Sequence, residues 1–327
     1  MTVKIVTDSG SDISKEVAQA LDITVVPLYV QFGAKTFRDG VDITPDEFFA
    51  KLDRDNIVPT TSAASPGDFA EIYSRLCHDA DHVVSIHLSS RVSATFEAAR
   101  KGREMIGDNC RIEVVDSRLV SVGLGLVTIA AARAARTGQN IHGILEQVSK
   151  VIPFIKVIGL LDTLKYVARG GRLGKVGPLL SSVLPVKPLL TMKEGLLSPV
   201  GVVRTRNKGI ERIYDMVKSA VNVKEISIAH SSMEGEIRSV IEKLKILAPG
   251  ITPFVSRLGS ALGAHGGPGT ILLAVQQEPM LDTDAESKLK KPIVSLPSLQ
   301  SIKESLSQRM QRDTTRSFEY ALNHAQV

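Results

Sequence analysis

Tryptophan is absent from this 327-residue sequence, and aromatic residues make up only 4% of it. A surface that stacks nucleobases on aromatic rings is therefore not encoded. Cysteine occurs twice, as Cys77 and Cys110. Neither belongs to a CxxC pair, and no Cys/His group has metal-ligand spacing. No metal site and no disulfide framework are expected, and a reducing compartment, the cytoplasm, fits. Long uninterrupted apolar runs are missing too. The best of them, 119–135, is diluted by glycines and closed by Arg133 and Arg136, so it reads as a buried helix rather than a membrane span. The start, MTVKIVTDSGSD, has one lysine before a short strand-like run, unlike a signal peptide. Stable membrane insertion is not expected. Net charge is +5, which permits acidic partners without demanding them. With basic residues dispersed and no helix-turn-helix pattern, nucleic acid is not expected as a partner.

What is present is regular. Strand-like runs at 3–7, 23–30, 82–88 and 111–115 alternate with helical patterns at 13–21, 45–52, 66–76, 93–105 and 121–136. Thr44-Pro45-Asp46-Glu47 and Ser65-Pro66-Gly67-Asp68 carry helix-start signals: a capping hydroxyl, proline in the first turn and an acid three residues on. Pro27 predicts an edge position or a bend. Strands separated by helices predict an α/β fold with a mostly parallel sheet covered on both faces. After about residue 155 the pattern changes. Residues 184–203 read as two strands joined by a Glu194-Gly195 turn, followed by helices at 207–220 and 233–247 and strands at 225–229, 251–258 and 270–276. The expected division is an N-terminal α/β domain, 1–155, a C-terminal α/β domain, 156–281, and an extra tail, 282–327. In that tail Leu299, Ile302, Leu306 and Met310 predict one amphipathic helix.

Four stretches could carry chemistry. Asp8-Ser9-Gly10-Ser11-Asp12 ends the first strand, where α/β proteins place ligands. It is not GxGxxG, and it is either a capped turn or a site using Asp8 and Ser9. Thr60-Thr61-Ser62 can donate hydrogen bonds without bulk or charge, or be a surface turn. In SSRVSATFEAAR, Ser93 and Thr95 fall at a helix start, where free amides favour an anion. They serve either as a cap or as an anion contact. No GxSxG elbow supports a nucleophile. In Gly263-Ala264-His265-Gly266-Gly267-Pro268-Gly269-Thr270, a histidine is expected on a glycine-rich loop, as a headgroup contact or an acid–base group. Hydroxyl, hydroxyl and imidazole together suit a carboxylate without a full compensating charge. Its acyl tail would then need an apolar tunnel, which the helices at 93–105 and 119–135 and the second domain could supply.

These segments resemble, in order, those of the DegV family: VTDSGSDI, TTSAASPGDF, SSRVSATFEAAR, VVDSRLVSVGLG, DTLKYVARGGRLGK and AHGGPG. The resemblance covers about residues 3–280. It implies a two-domain DegV-like fold with a long-chain fatty acid, palmitate-, stearate- or oleate-like, between the domains. It implies Thr61, Ser93 and His265 as the carboxylate-binding residues, with Asp8, Ser9, Ser62, Thr95 and Gly266 in a second tier. Some members are the lipid-binding subunit of a bacterial fatty acid kinase and feed phospholipid metabolism. For this chain that implies a non-catalytic carrier with no cofactor, presenting its lipid to a separate ATP-binding kinase subunit. Arg172, with Arg169, is the implied partner contact in the loop Arg169-Gly170-Gly171-Arg172-Leu173-Gly174-Lys175. That loop is not a GxxxxGK[ST] phosphate loop. Ser62-Ala63-Ala64-Ser65 and Gly266-Gly267 depart from the family's usual Ser-Gln-Pro-Ser and Thr-Gly. The competing reading is a hydrolase or transferase that acts on an acyl or phosphorylated small molecule through His265.

Overall fold

The computed structural model describes residues 1–278 apart from 56, 108–109, 173, 182–185 and 232. The expected tail helix lies outside the described residues. In chain order the first half runs β1 (Val3–Asp8), α1 (Lys15–Ala20), β2 (Ile23–Val26), β3 (Tyr29–Phe32), β4 (Lys35–Arg38), α2 (Pro45–Arg54), β5 (Thr60–Ser62), α3 (Pro66–Leu76), β6 (His82–His87), α4 (Thr95–Met105), β7 (Arg111–Asp116), α5 (Val122–Arg136) and α6 (Ile141–Val151). The second half runs β8 (Ile155–Leu160), α7 (Lys165–Arg169), β9 (Lys187–Lys193), β10 (Leu196–Val203), α8 (Arg206–Lys218), β11 (Val223–His230), α9 (Glu234–Leu247), β12 (Phe254–Arg257), α10 (Ser260–Gly266) and β13 (Ile271–Gln277).

The fold is mixed α/β. One sheet has the order β2-β1-β6-β7 and is parallel throughout. Successive residues alternate between two apolar layers: Ile5, Val84 and Ile86 face the layer holding α5 and α6, whereas Val6, Val83 and Ile112 face that of α3 and α4. Both faces are thus covered, as the sequence predicts. The α2 and α3 starts carry complete capping boxes, Thr44 with Glu47 and Ser65 with Asp68, each with proline in the first turn. Pro27 does more than bend one strand. It separates β2, an edge strand, from β3, which joins the antiparallel three-stranded sheet β4-β3-β5. That third sheet was not foreseen. Its central pairing sets Thr61 opposite Val30, so Thr61 lies on a strand rather than a surface turn.

The second sheet, β10-β9-β8-β13-β11-β12, is antiparallel except where β11 meets β12. Glu194 and Gly195 make the β9–β10 turn in the left-handed region, φ 53° and 78°. The Ser89 hydroxyl donates to Gly195 O (2.7 Å), tying this turn to the loop after β6. Ile158, Ile228 and Leu273 face α8 and α9, and their neighbours Val157, Ala229 and Ala274 face α5. Helix α5 therefore lies between the two sheets, buried on nearly every side. Its glycines permit this approach: a Cβ on Gly123 would meet Val157 Cγ2 at 2.6 Å, and one on Gly125 would meet Ser11 O at 2.8 Å. The 119–135 stretch is a core helix, and among the described residues no helix is long and apolar enough to cross a membrane.

The cysteine expectation is corrected. Cys77, at the end of α3, and Cys110, just before β7, are joined as a disulfide with Cα atoms 5.6 Å apart. A separation of 33 residues carries no sign of this in sequence. Packing of α3 beside β7 brings the pair together, so a low cysteine count does not by itself argue for a reducing compartment. Close packing of α3 on α4 also yields a stability prediction. A Cβ on Gly102 would meet Phe69 Cβ at 2.5 Å and Pro66 O at 2.7 Å. Gly102→Ala is expected to cost about 1–3 kcal/mol through overpacking, read as a lower denaturant midpoint at an unchanged m-value.

Candidate functional site

Residues from the loops after β2, β6 and β7, from β5 of the three-stranded sheet and from several stretches of the second half meet around one cavity of about 340 Å³. That is at the small end of ligand pockets and suits a slender ligand. Most of its wall is apolar, including Leu88, Leu161, Leu190, Met192, Leu258 and Leu272. Among the polar lining groups are Thr61, Ser62, Ser93, Arg172 and His265. Two further hydroxyls on the wall are already engaged: Thr191 donates to Val157 O (2.6 Å) and Thr270 to Gly266 O (2.8 Å).

The trio named from sequence, Thr61, Ser93 and His265, lines this one cavity although the residues lie far apart in the chain. Thr61 Oγ1 and His265 Nε2 are 2.8 Å apart. His265 stands in the last turn of α10, not on a loop. Burial, and then the nearby Arg172 guanidinium, push its pKa down to about 4, so the imidazole is neutral at neutral pH. Its Nδ1 is buried without a hydrogen-bond partner, and a Cβ added to Gly170 would fall on that side of the ring. An orphaned acceptor is cheaper than an orphaned N–H. The favoured tautomer therefore carries its proton on Nε2 and donates to Thr61 Oγ1, leaving the threonine proton to donate into the cavity.

Ser93 faces the cavity and is not the cap of α4, whose N-cap is Ala94 with no side-chain cap bond. Its Oγ accepts from the Thr95 amide (3.3 Å) and pairs with Thr95 Oγ1 (2.7 Å). Thr95 itself is fully buried and not on the wall, while Ser62 and Gly266 are on it. Arg172 also lines the cavity, half-buried, and donates from Nη1 to Gly170 O (2.6 Å). The cavity wall thus presents a positive charge beside the hydroxyls and imidazole, contrary to the expectation of neutral donors alone. Arg169 is exposed at the end of α7 and away from the wall.

Asp8 and Ser9 are not brought to the cavity. Asp8 is fully buried, accepts from the Gly10 and Leu88 amides, and lies 2.9 Å from His87 Nδ1. His87 Nε2 is 2.7 Å from Ser85 Oγ, which accepts from Tyr73 OH at 2.8 Å. Serine, histidine and aspartate here have the order of a nucleophile triad. All three side chains are sealed in the core and none lines the cavity, so the chain is a structural network. Ser9 Oγ donates to Asp39 (2.8 Å) and accepts from Leu28 N (3.1 Å). The tunnel walls also differ from expectation. The bodies of α4 and α5 contribute nothing; the wall comes from strands β5, β8, β9, β10 and β13, the loops before α3, α4 and α5, the loop between β2 and β3, and α7 and α10 with the loop after α7.

A buried acidic pair escaped the sequence reading altogether. Asp12 accepts from Ser121 Oγ (2.5 Å) and Gly259 N (2.8 Å), and Asp39 accepts from Ser260 N (2.8 Å). Burial foremost pushes the Asp12 pKa up to about 7 and raises that of Asp39 as well. Nothing in DSGSD or FRDG separates these aspartates from ordinary turn acids.

The family profile described as "Uncharacterised protein, DegV family" matches residues 2–278. A DegV domain-containing protein of Caldanaerobacter subterraneus subsp. tengcongensis is 38% identical over 270 residues, 81% of this chain and 95% of its own. Protein DegV of Bacillus subtilis is 30% identical over 83% of this chain and 98% of its own length. Among solved structures, a DegV family protein from Thermus thermophilus described for its fatty acid binding superposes with a TM-score of 0.77 at 31% identity, covering 85% of this chain and 100% of that one. DegV of B. subtilis, described as a fatty acid binding protein, has a TM-score of 0.79 at 29% identity, covering 85% and 100%. A stearic acid-binding protein from Eubacterium ventriosum has a TM-score of 0.79 at 26% identity, covering 85% and 99%. With its matching profile, its relatives and its two sheets around a lined cavity, this chain belongs to the DegV family.

Proposed function

We propose that this protein binds a long-chain fatty acid in the cavity and presents it to a separate ATP-dependent fatty acid kinase subunit, without catalysing a reaction itself. The observation that carries the reading is a predominantly apolar wall that also presents Thr61, Ser93, Arg172 and His265, with Thr61 and His265 in contact at 2.8 Å. Thr61 and Ser93 donate to the carboxylate, His265 orients the Thr61 hydroxyl, and Arg172 balances the charge. Each buried methylene contributes about 0.8 kcal/mol, so the tail sets affinity and the polar end sets orientation. Arg172 and the exposed Arg169 are the proposed contacts with the kinase subunit, supported by their position on and beside the cavity wall. We assign the two α/β domains to 1–155 and 156–281, with the cavity at their junction.

The test is denaturing extraction and mass spectrometry of the purified protein. A stoichiometric fatty acid supports the reading, and a protein that is empty and takes up no added oleate sinks it. Chain length can then be steered. Met192 is half-buried on β9 and lines the wall, so added bulk there enters the cavity. Met192→Trp is expected to shift the bound population to shorter chains, at about 0.8 kcal/mol for each methylene left without room. An unchanged chain-length profile would place the tail elsewhere.

A further inference from the structure

We propose that Asp12 and Asp39 are positioning residues that clamp the start of α10 and so set how firmly His265 is offered to a bound headgroup. This rests on the headgroup reading above. The helix is short, Ser260–Gly266, and carries His265 one residue from its end. It has no side-chain cap of its own. Its first amides are held instead by two acids from the other half of the chain: Gly259 N donates to Asp12 and Ser260 N to Asp39, each at 2.8 Å. Gly259 makes room for both. A Cβ there would meet Asp12 Oδ1 at 2.9 Å and Asp39 Oδ2 at 3.2 Å. The acids are in turn fixed by Ser121 Oγ and Ser9 Oγ. Ser121 is held in the left-handed region at φ 53°, a conformation that serine adopts only when its surroundings impose it.

The clamp works best with one negative charge. A single carboxylate matches the open amides of a helix start. A second ionisation puts like charges on both sides of one glycine in a dry setting. The surrounding groups sharpen this. From β1, Asp8 adds charge of the same sign and is engaged with His87. From α5 comes the Ser121 hydroxyl. From β12, Arg257 is paired with Asp46 and lies near His230 on β11. Asp12 titrates near pH 7, with burial the main cause, so its charge arrives as pH rises through that point. His265 does not interfere, because burial keeps its pKa near 4.

The experiment follows two readouts from about pH 6 to 8.5 in wild type and Asp12→Asn: the release rate of oleate and the hydrogen-exchange protection of the α10 amides. In wild type, release is expected to quicken about tenfold across this range, a coupling of about 1.4 kcal/mol between clamp and site. Protection of α10 should fall in parallel. Asp12→Asn keeps the shape and an acceptor for Gly259 N but cannot ionise, so both readouts should be flat. Equal pH dependence in the two proteins, or none in wild type, overturns the clamp. If oleate binds neither protein at any pH, the headgroup reading fails alone, and α10 protection still decides the clamp. If Asp12→Asn does not fold, Ser121→Ala replaces it. Removing that hydrogen bond, which lowers the Asp12 pKa, should move the midpoint to higher pH, and an unmoved midpoint overturns the proposal.

Discussion

Thr61→Val is expected to weaken fatty acid binding by roughly 30- to 150-fold, equivalent to about 2–3 kcal/mol for a hydrogen bond to a charged group. In the proposed binding mode the Thr61 hydroxyl is the donor, oriented by the neutral His265 ring 2.8 Å away. A histidine acting only through that hydroxyl has nothing left to orient once it is gone. The double variant Thr61→Val/His265→Ala should therefore bind no more weakly than Thr61→Val alone, whereas His265→Ala alone should lose part of the same energy. Oleate titrations of the four proteins form a double-mutant cycle, with strong coupling expected between the two positions. Additive losses would mean that His265 grips the carboxylate directly. Thermal melts of the same variants separate binding loss from unfolding.

The second large effect is on stability. Asp12 is 7% exposed and its pKa is raised to about 7. A raised folded-state pKa leaves stability intact below the unfolded value and removes it as pH climbs through the folded one. From a model value of 3.8 to about 7, the wild type should lose up to about 4 kcal/mol from this group alone. Asp12→Asn should match wild type near pH 4 and exceed it above pH 7. Chemical denaturation across that range reads the difference directly, and parallel curves for the two proteins would show that Asp12 ionises freely in the fold.

The sequence was legible wherever one residue type has one local physical job. Ser65, Pro66 and Asp68 can start a helix with no help from elsewhere, and α3 begins there. Glu194 and Gly195 fit a left-handed turn between strands, and β9 and β10 meet there. The ordered motifs were enough to place the chain in its family, and Thr61, Ser93 and His265 do share one cavity. Local rules failed for α6, whose Asn140 cap passed unnoticed, and for the sheet that receives β3 and β5. Pro27 announces a bend, but not which partner the following strand will find.

Amino-acid order by itself determined the alternation of strands and helices, the buried character of α5 and the family. These follow from periodicity, capping and turn chemistry, which act over a few residues. Tertiary structure alone decided which aspartates are dangerous to ionise, which hydroxyls are already engaged and which arginine lines the cavity. Asp8, Asp12 and Asp39 are the same residue type in similar turns. Their partners are His87 for the first, Ser121 and Gly259 for the second, and Ser9 and Ser260 for the third. Those partners lie up to 247 residues away, and a carboxylate's charge state depends on what surrounds it, not on its neighbours in the chain.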